Sequence, residues 1–81
     1  MPEVPIGSHL RRLRFDHKEM TQEALAKAAG VTRQTIVSLE ARRYAPSLEL
    51  AMRLAFVFDC TVDDVFHWRD GHAPARDEDR R

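Results

Sequence analysis

The stretch "MTQEALAKAAGVTRQTIVSLEARR", residues 20–43, decides the fold because it holds two short helical patterns on either side of Gly30. Glycine takes the left-handed backbone conformation at little steric cost and is common where a helix ends. We therefore predict one helix over residues 22–29 and another over residues 33–41. The connection between them is so short that the two helices must cross at a steep angle.

Hydroxyl side chains mark where these two helices begin. Thr21 and Thr32 each directly precede a helical pattern, where a side-chain oxygen can accept a hydrogen bond from a free amide of the first turn. Apolar residues recur at helical spacing inside both patterns. The side chains predicted to face the core are Leu25, Ala26, Ala29, Ile36 and Leu39.

Three further helices are predicted outside this stretch. Ile6, Leu10 and Leu13 follow helical spacing, so a first helix is expected over residues 6–17. Ser47 follows a proline and is placed to cap a fourth helix over residues 48–58. The inward residues of that fourth helix are predicted to be Leu48, Ala51, Leu54, Ala55 and Phe58.

Thr61 and Asp64 have the spacing of a capping box, which predicts a short fifth helix over residues 62–67. Five helices and no convincing strand give an all-α domain. The expected organisation is an N-terminal arm over residues 1–5, the folded domain over residues 6–68 and a charged, mobile tail over residues 69–81. At 81 residues the chain has room for one small domain.

Charge is distributed unevenly along the chain although the net charge is zero. Residues 1–58 carry nine Lys and Arg against six Asp and Glu, whereas residues 59–81 carry four against seven. Duplex DNA is bound largely through lysine and arginine contacts to phosphate. A modest basic patch on the first part of the chain therefore remains compatible with nucleic acid as a partner.

The composition argues against several other classes of protein. The single cysteine, Cys60, cannot form an internal disulfide, and the spacing of the four histidines does not indicate a metal site. No run of apolar residues is long enough to span a membrane, and no leader peptide is recognisable. No cofactor is expected. We expect a cytoplasmic protein that is not an enzyme, because no nucleophile with a nearby base appears.

The outer face of the third predicted helix carries the chemistry of base recognition. Arginine can bond guanine O6 and N7 together, glutamine can bond adenine N6 and N7, and an apolar side chain can contact the thymine methyl group. Elements beside that helix are placed to contact phosphates. The predicted base contacts are Arg33, Gln34, Val37 and Ser38, and the predicted backbone contacts are Thr21, Gln22, Thr32, Thr35, Arg42, Arg43 and Tyr44.

The segment "TQEALAKAAGVTRQTIVSLEARRYAPSLELAMRLAFVF" resembles the Cro/C1-type, or XRE, family of helix-turn-helix transcriptional regulators, and the resemblance covers roughly residues 8–67. It implies a compact five-helix domain whose third helix enters the major groove. It also implies an ion pair between Glu40 and an arginine of the first helix. Arg14 is the candidate, with Arg11 as the alternative, because the link to the second helix is one residue longer than usual.

The end of the predicted domain leaves two interpretations open. Val62, Val65, Phe66 and Trp68 could cover the core of their own chain, or they could form the interface of a homodimer. We expect a sequence-specific regulator of double-stranded DNA, acting as a dimer and as a repressor. The alternative is a protein-interaction module, such as the antitoxin that binds a toxin, built on the same fold.

Overall fold

The computed structural model describes residues 3–76 and contains five helices and one small sheet. The helices are α1 (Leu10–Asp16), α2 (Gln22–Ala29), α3 (Arg33–Glu40), α4 (Leu48–Val57) and α5 (Val62–Val65). Strands β1 (Ile6–Ser8) and β2 (Phe66–Trp68) form the antiparallel sheet. None of the helices in residues 3–76 combines the length and the apolar character that a membrane crossing requires.

The predicted caps are present at the helix ends. The hydroxyl oxygens of Thr21, Thr32 and Ser47 accept hydrogen bonds from amides in the first turns of α2, α3 and α4. Thr61 and Asp64 form the complete capping box at α5. Gly30 ends α2 with φ +76°, in the left-handed region where it was expected. These local signals set the ends of four helices.

The core lies where all the helices meet. α2 and α3 pack against each other, and α4 covers α2 from another side. Five side chains at the centre are almost completely withdrawn from water, and the burial of apolar surface is the main contribution to the stability of such a domain. These five residues are Leu10, Leu25, Ile36, Leu54 and Val65.

The sheet corrects the all-α prediction. Residues 6–8, expected in the first helix, are strand β1, and residues 66–68, partly expected in the fifth helix, are strand β2. Gly7 is buried under the imidazole of His67, so close that a Cβ at this position would lie 2.6 Å from a ring carbon of His67. The strand partner lies about sixty residues away along the chain, and helical spacing alone could not reveal this pairing.

Two further expectations are corrected or limited by the structure. Leu48 is 73% exposed and Leu50 is buried in its place, whereas the other four residues predicted to face the core from the fourth helix are buried as expected: Ala51, Leu54, Ala55 and Phe58. Arg69, placed in the mobile tail, donates its backbone N–H to the carbonyl of Pro5 at 2.9 Å and therefore continues from the sheet. Residues 77–81 of the predicted tail and residues 1–2 of the predicted arm lie outside the described residues.

Candidate nucleic-acid interface

Helix α3 has one buried face and one polar face. Ile36 and Leu39 are buried, whereas Arg33 and Gln34 are exposed in the first turn. Val37 is half-buried. The first turn of α3 therefore presents two long hydrogen-bonding side chains to solvent, on a helix that is fixed to the core from behind.

Short polar side chains continue this surface. The Thr32 hydroxyl accepts a hydrogen bond from the Thr35 amide at 3.2 Å and lies 3.1 Å from the Thr35 hydroxyl. The Gln34 amide nitrogen donates to the Ser38 hydroxyl at 3.4 Å. Together with Tyr44, these side chains surround a shallow depression beside α3. The structure thus brings five of the predicted contact residues to one surface.

A chain of polar contacts joins α1, α2 and α3 beneath that surface. The Arg14 guanidinium donates to both carboxylate oxygens of Glu40, from Nε at 2.7 Å and from Nη2 at 3.0 Å. Gln22 Nε2 donates to the same carboxylate at 3.2 Å, and Arg33 Nη2 donates to Gln22 Oε1 at 3.5 Å. Arg14, rather than Arg11, therefore pairs with Glu40.

This chain of contacts is stronger on the inside than on the outside. The side chains of Arg14 and Glu40 are only 15% and 11% exposed, and a bidentate contact between charged groups is among the stronger hydrogen-bonding arrangements. Arg14 Nη1 also donates to the carbonyl of Met20 at 2.9 Å. The contact between Arg33 and Gln22 is at the long limit of a hydrogen bond and is exposed. The contacts between Arg14 and Glu40 therefore hold α1 and α3 together, whereas the weak contact to Gln22 leaves the Arg33 guanidinium free to contact another group.

The loop after α3 carries the remaining predicted phosphate contacts. Arg42 and Arg43 are exposed, and Tyr44 exposes 42% of its surface. Glu3 lies 3.7 Å from Arg42 and 3.1 Å from Arg69, so its carboxylate partly neutralises Arg42. The sequence carried no signal for this contact, because Glu3 is far from Arg42 along the chain. Arg43 thus has a clearer path to a phosphate than Arg42.

The residues predicted for a dimer interface separate into two groups. Val65 is fully buried in the core of its own chain, so its side chain is not available to a second copy, and its assignment to the interface is corrected. Val62 and Phe66 are partly buried against the same core. Trp68 is 48% exposed and is the most exposed member of this set.

The rings of His9 and His67 contact each other, and Cys60 is partly buried against the core. The rings of His9 and His67 stack with their centroids 4.5 Å apart. Burial lowers the pKa of His9, and the neighbouring His67 and Arg12 lower this pKa further. Burial also raises the pKa of the Cys60 thiol, with Asp64 and Asp59 adding to the effect. Within residues 3–76, no three His, Cys, Asp or Glu side chains are grouped to hold a metal ion.

An exposed apolar surface on α4 lies outside all the predicted contact sets. Leu48, Met52 and Phe56 form an apolar stripe along α4, here called the α4 ridge, and they are 73%, 58% and 85% exposed. A groove between the ridge and the last turn of α2 is lined by Lys27 and Ala28 among others. The spacing of i, i+4 and i+8 was visible in the sequence, but Leu48 was assigned to the core, which hid the stripe.

Comparisons with known proteins point to one family. The sequence profile of the Helix-turn-helix family matches residues 10–65. An uncharacterized HTH-type transcriptional regulator from Archaeoglobus fulgidus is 55% identical over 47 residues, which are 58% of this chain and 66% of that protein. Another such regulator, from Methanothermobacter thermautotrophicus, is 53% identical over 61 residues, which are 70% of this chain and 88% of that protein.

A solved structure has a similar fold over about two thirds of this chain. The crystal structure of the clp gene regulator ClgR from Corynebacterium glutamicum matches with a TM-score of 0.62 and 33% sequence identity. The match covers 68% of this chain and 57% of that chain. The chain therefore belongs to the Cro/C1-type (XRE) family of helix-turn-helix transcriptional regulators.

Proposed function

We propose that this chain is a sequence-specific, cytoplasmic regulator of double-stranded DNA, whose helix α3 reads base edges in the major groove. The observation that carries the proposal is the exposed first turn of α3, where Arg33 and Gln34 project from a helix anchored by Ile36 and Leu39. An α-helix fits the major groove, and these two side chain types suit guanine and adenine. Val37 and Ser38 complete the proposed reading face.

Phosphate contacts fix the position of that helix in the proposed complex. The capped N-terminus of α2 presents free amides beside Thr21 and Gln22, and such helix ends attract anions. Arg43 and Tyr44 are exposed in the loop that follows α3. The proposed complex therefore fixes the reading helix through two groups of backbone contacts, one from the N-terminus of α2 and one from the loop after α3.

The domain acts as a dimer in this proposal. A single small domain reads only a few base pairs, and two copies on half-sites about one helical turn, roughly 34 Å, apart supply the missing affinity and specificity. The simplest mechanism of regulation is repression, in which the bound dimer occupies a promoter. Reporter expression that does not respond to deletion and restoration of the gene would contradict repression. It would leave the proposal of DNA binding unchanged.

Selection of bound duplexes from a random pool tests the reading of bases. Wild-type protein should enrich a symmetric motif, and a variant that combines Arg33→Ala with Gln34→Ala should lose the base preference in each half-site. Arg11→Ala is the matched control, because it removes an exposed arginine that lies outside the proposed contacts. Absence of enrichment, together with no attraction to duplex DNA at low ionic strength, would overturn the proposal.

The exposed α4 ridge favours a second candidate function, that of a protein-interaction module such as an antitoxin. Contiguous exposed apolar surface often marks a protein contact. Purification of the tagged chain from its native host tests this candidate. An untagged partner held at fixed stoichiometry through high salt would support it, and recovery of the chain alone would count against it. DNA binding and partner binding can coexist on different faces of the domain.

A further inference from the structure

Within residues 3–76, the α4 ridge brings together three of the large exposed apolar side chains, and DNA recognition leaves it unexplained. Its three side chains lie on one face of α4 because residues four apart along a helix project from the same side. The opposite face of α4, with Leu50 and Leu54, is the buried one. Within residues 3–76 no side chain covers the ridge, since all three of its members expose more than half of their surface.

The shape of the ridge suits contact with a copy of itself. Side chains spaced four apart form the row that packs into the matching groove of another helix, at a crossing angle of about −50° when both helices use this row. A two-fold interface requires a surface that is complementary to itself. With the axis at Met52, Leu48 of one copy lies towards Phe56 of the other. Methionine at the centre adapts to the space that remains.

The charges beside the ridge also favour a second copy over a partner of one charge. Glu49 and Arg53 form an ion pair four residues apart along the ridge. Arg53 Nη1 donates in addition to the carbonyl of Ala29 at 3.4 Å, which places the guanidinium at the edge of the groove. In an antiparallel pair of helices, Glu49 of one copy approaches Arg53 of the other. Both signs are therefore present on each side, as self-association requires.

The sheet end of the molecule offers less apolar surface for a dimer interface than the ridge does, and the composition of the last five residues does not suit them to cover the ridge. At the sheet, Val65 is buried and Trp68 is the main exposed apolar side chain. Residues 77–81 are all charged and supply no apolar surface for the ridge. The ridge alone is smaller than the roughly 800 Å² per partner of a typical stable interface. The resulting association is therefore moderate in strength and concentration-dependent.

We propose that two copies of this chain associate through the α4 ridge, about a two-fold axis near Met52. This proposal rests on the proposed function, which requires two copies of the domain on two half-sites. It assigns the interface to α4 rather than to the region of α5 and Trp68.

Sedimentation equilibrium of the full chain, from micromolar to millimolar concentration, tests the interface. Wild-type protein should form dimers as its concentration rises. Met52→Glu should weaken association at least about 30-fold, the effect expected when a hot-spot side chain at the centre of an interface is replaced. Trp68→Ser is the matched control and should dimerise like the wild type. Both substituted positions are exposed, so thermal melting by circular dichroism should show that both variants fold.

Exchange of charges gives a second readout that folding alone cannot imitate. Glu49→Arg and Arg53→Glu should each reduce self-association, because each places like charges across the axis. An equimolar mixture of these two variants should form mixed dimers more readily than either variant forms dimers with itself. A specific contact between copies of this chain predicts this preference, whereas binding of an unrelated protein does not.

The outcomes separate clearly. Wild-type protein that remains monomeric at millimolar concentration, an unchanged Met52→Glu variant, or a loss confined to Trp68→Ser would overturn the proposed interface. A wild-type monomer that instead binds a host protein through the ridge would overturn it as well. Binding of Met52→Glu to a duplex with one half-site should equal that of wild type. Failure of all chains to bind any duplex would overturn the proposed function, while sedimentation still decides the interface.

Discussion

Replacement of Glu40 by alanine is expected to destabilise the domain by about 2–3 kcal/mol. The Glu40 carboxylate accepts two hydrogen bonds from Arg14 and one from Gln22, and it is only 11% exposed. Removal of one partner from a fully buried ion pair costs roughly 3–5 kcal/mol, whereas an exposed pair is worth about 0–1 kcal/mol. At 15% exposure, Arg14 retains some access to water, so the expected loss lies between these limits.

Glu49→Ala provides the matched control for this measurement. It also removes a carboxylate from an arginine, but its side chain and that of Arg53 are 73% and 52% exposed. The expected loss is at most about 0.5 kcal/mol, the usual value of an exposed pair four residues apart on a helix. For a domain of this size, each kcal/mol corresponds to a change of roughly 4–8 °C in Tm. Glu40→Ala should therefore lower the Tm by roughly 10–20 °C, and Glu49→Ala by less than about 4 °C.

Thermal and urea unfolding followed by circular dichroism measure both variants and the double variant of Arg14→Ala with Glu40→Ala. Because the two side chains contact each other, the double variant should lose at least about 1 kcal/mol less than the sum of the single variants. Equal losses for Glu40→Ala and Glu49→Ala would refute the reasoning, since burial would then make no difference. Additive losses for Arg14 and Glu40 would show that the ion pair itself contributes nothing.

Four further outcomes are expected. Arg33→Ala should lose about 1–3 kcal/mol on the preferred site and relax preference at one base pair, and an equal loss on all sequences in duplex titrations would make Arg33 a phosphate contact instead. Arg43→Ala should weaken binding to matched and scrambled duplexes alike and reduce the salt slope by about 1, whereas a loss tied to one base would contradict this role. Because the pKa of His9 is lowered in the folded state, its contribution to the free energy of unfolding is fully present above pH 6.5 and is lost as the pH falls from there through the folded-state pKa. Denaturation curves recorded across this pH range should show a smaller loss for His67→Ala than for the wild type. An identical loss would argue against coupling of the two rings. Asp59 has φ +52° just after α4, so Asp59→Gly should raise the free energy of unfolding by roughly 0.5–1 kcal/mol in urea titrations, and a decrease would show that the carboxylate outweighs the backbone strain.

The parts of the fold that could be predicted from the sequence are those decided within a few residues. A hydroxyl at Thr21 or Thr32 and the glycine at position 30 act on the adjacent helix, and each lies at the helix end where it was expected. The strand at Ile6–Ser8 forms because Phe66–Trp68 lies beside it. Its three residues show no alternation of apolar and polar side chains from which a strand could be predicted. Pairing over such a distance is a property of the complete fold.

The face that α4 turns to the core shows the same limit in another form. Leu48 and Leu50 are both apolar residues in the first turn, so the pattern allows either to face inward. Packing of α4 against α2 selects Leu50 and leaves Leu48 exposed. For the candidate site, the pattern located the exposed turn of α3, and the family resemblance suggested the ion pair with Glu40. Neither the pattern nor the resemblance could show that the Glu3 carboxylate pairs with Arg42, where it would compete with a phosphate.

The decline in contact strength from Arg14 to Arg33 links stability to the proposed reading of bases. The Glu40 carboxylate accepts a hydrogen bond from Arg14 Nε at 2.7 Å and one from Gln22 Nε2 at 3.2 Å. The Arg33 guanidinium donates to Gln22 Oε1 at a longer distance, 3.5 Å. A side chain that is oriented before binding loses less conformational entropy in the complex, where ordering a long side chain costs about 0.5–1.5 kcal/mol. A contact this long is also given up at little cost when a base offers two better acceptors. The Glu40 carboxylate, which joins α3 to α1, therefore also orients the Arg33 guanidinium through Gln22. The last of these contacts is weak enough for Arg33 to exchange it for a base.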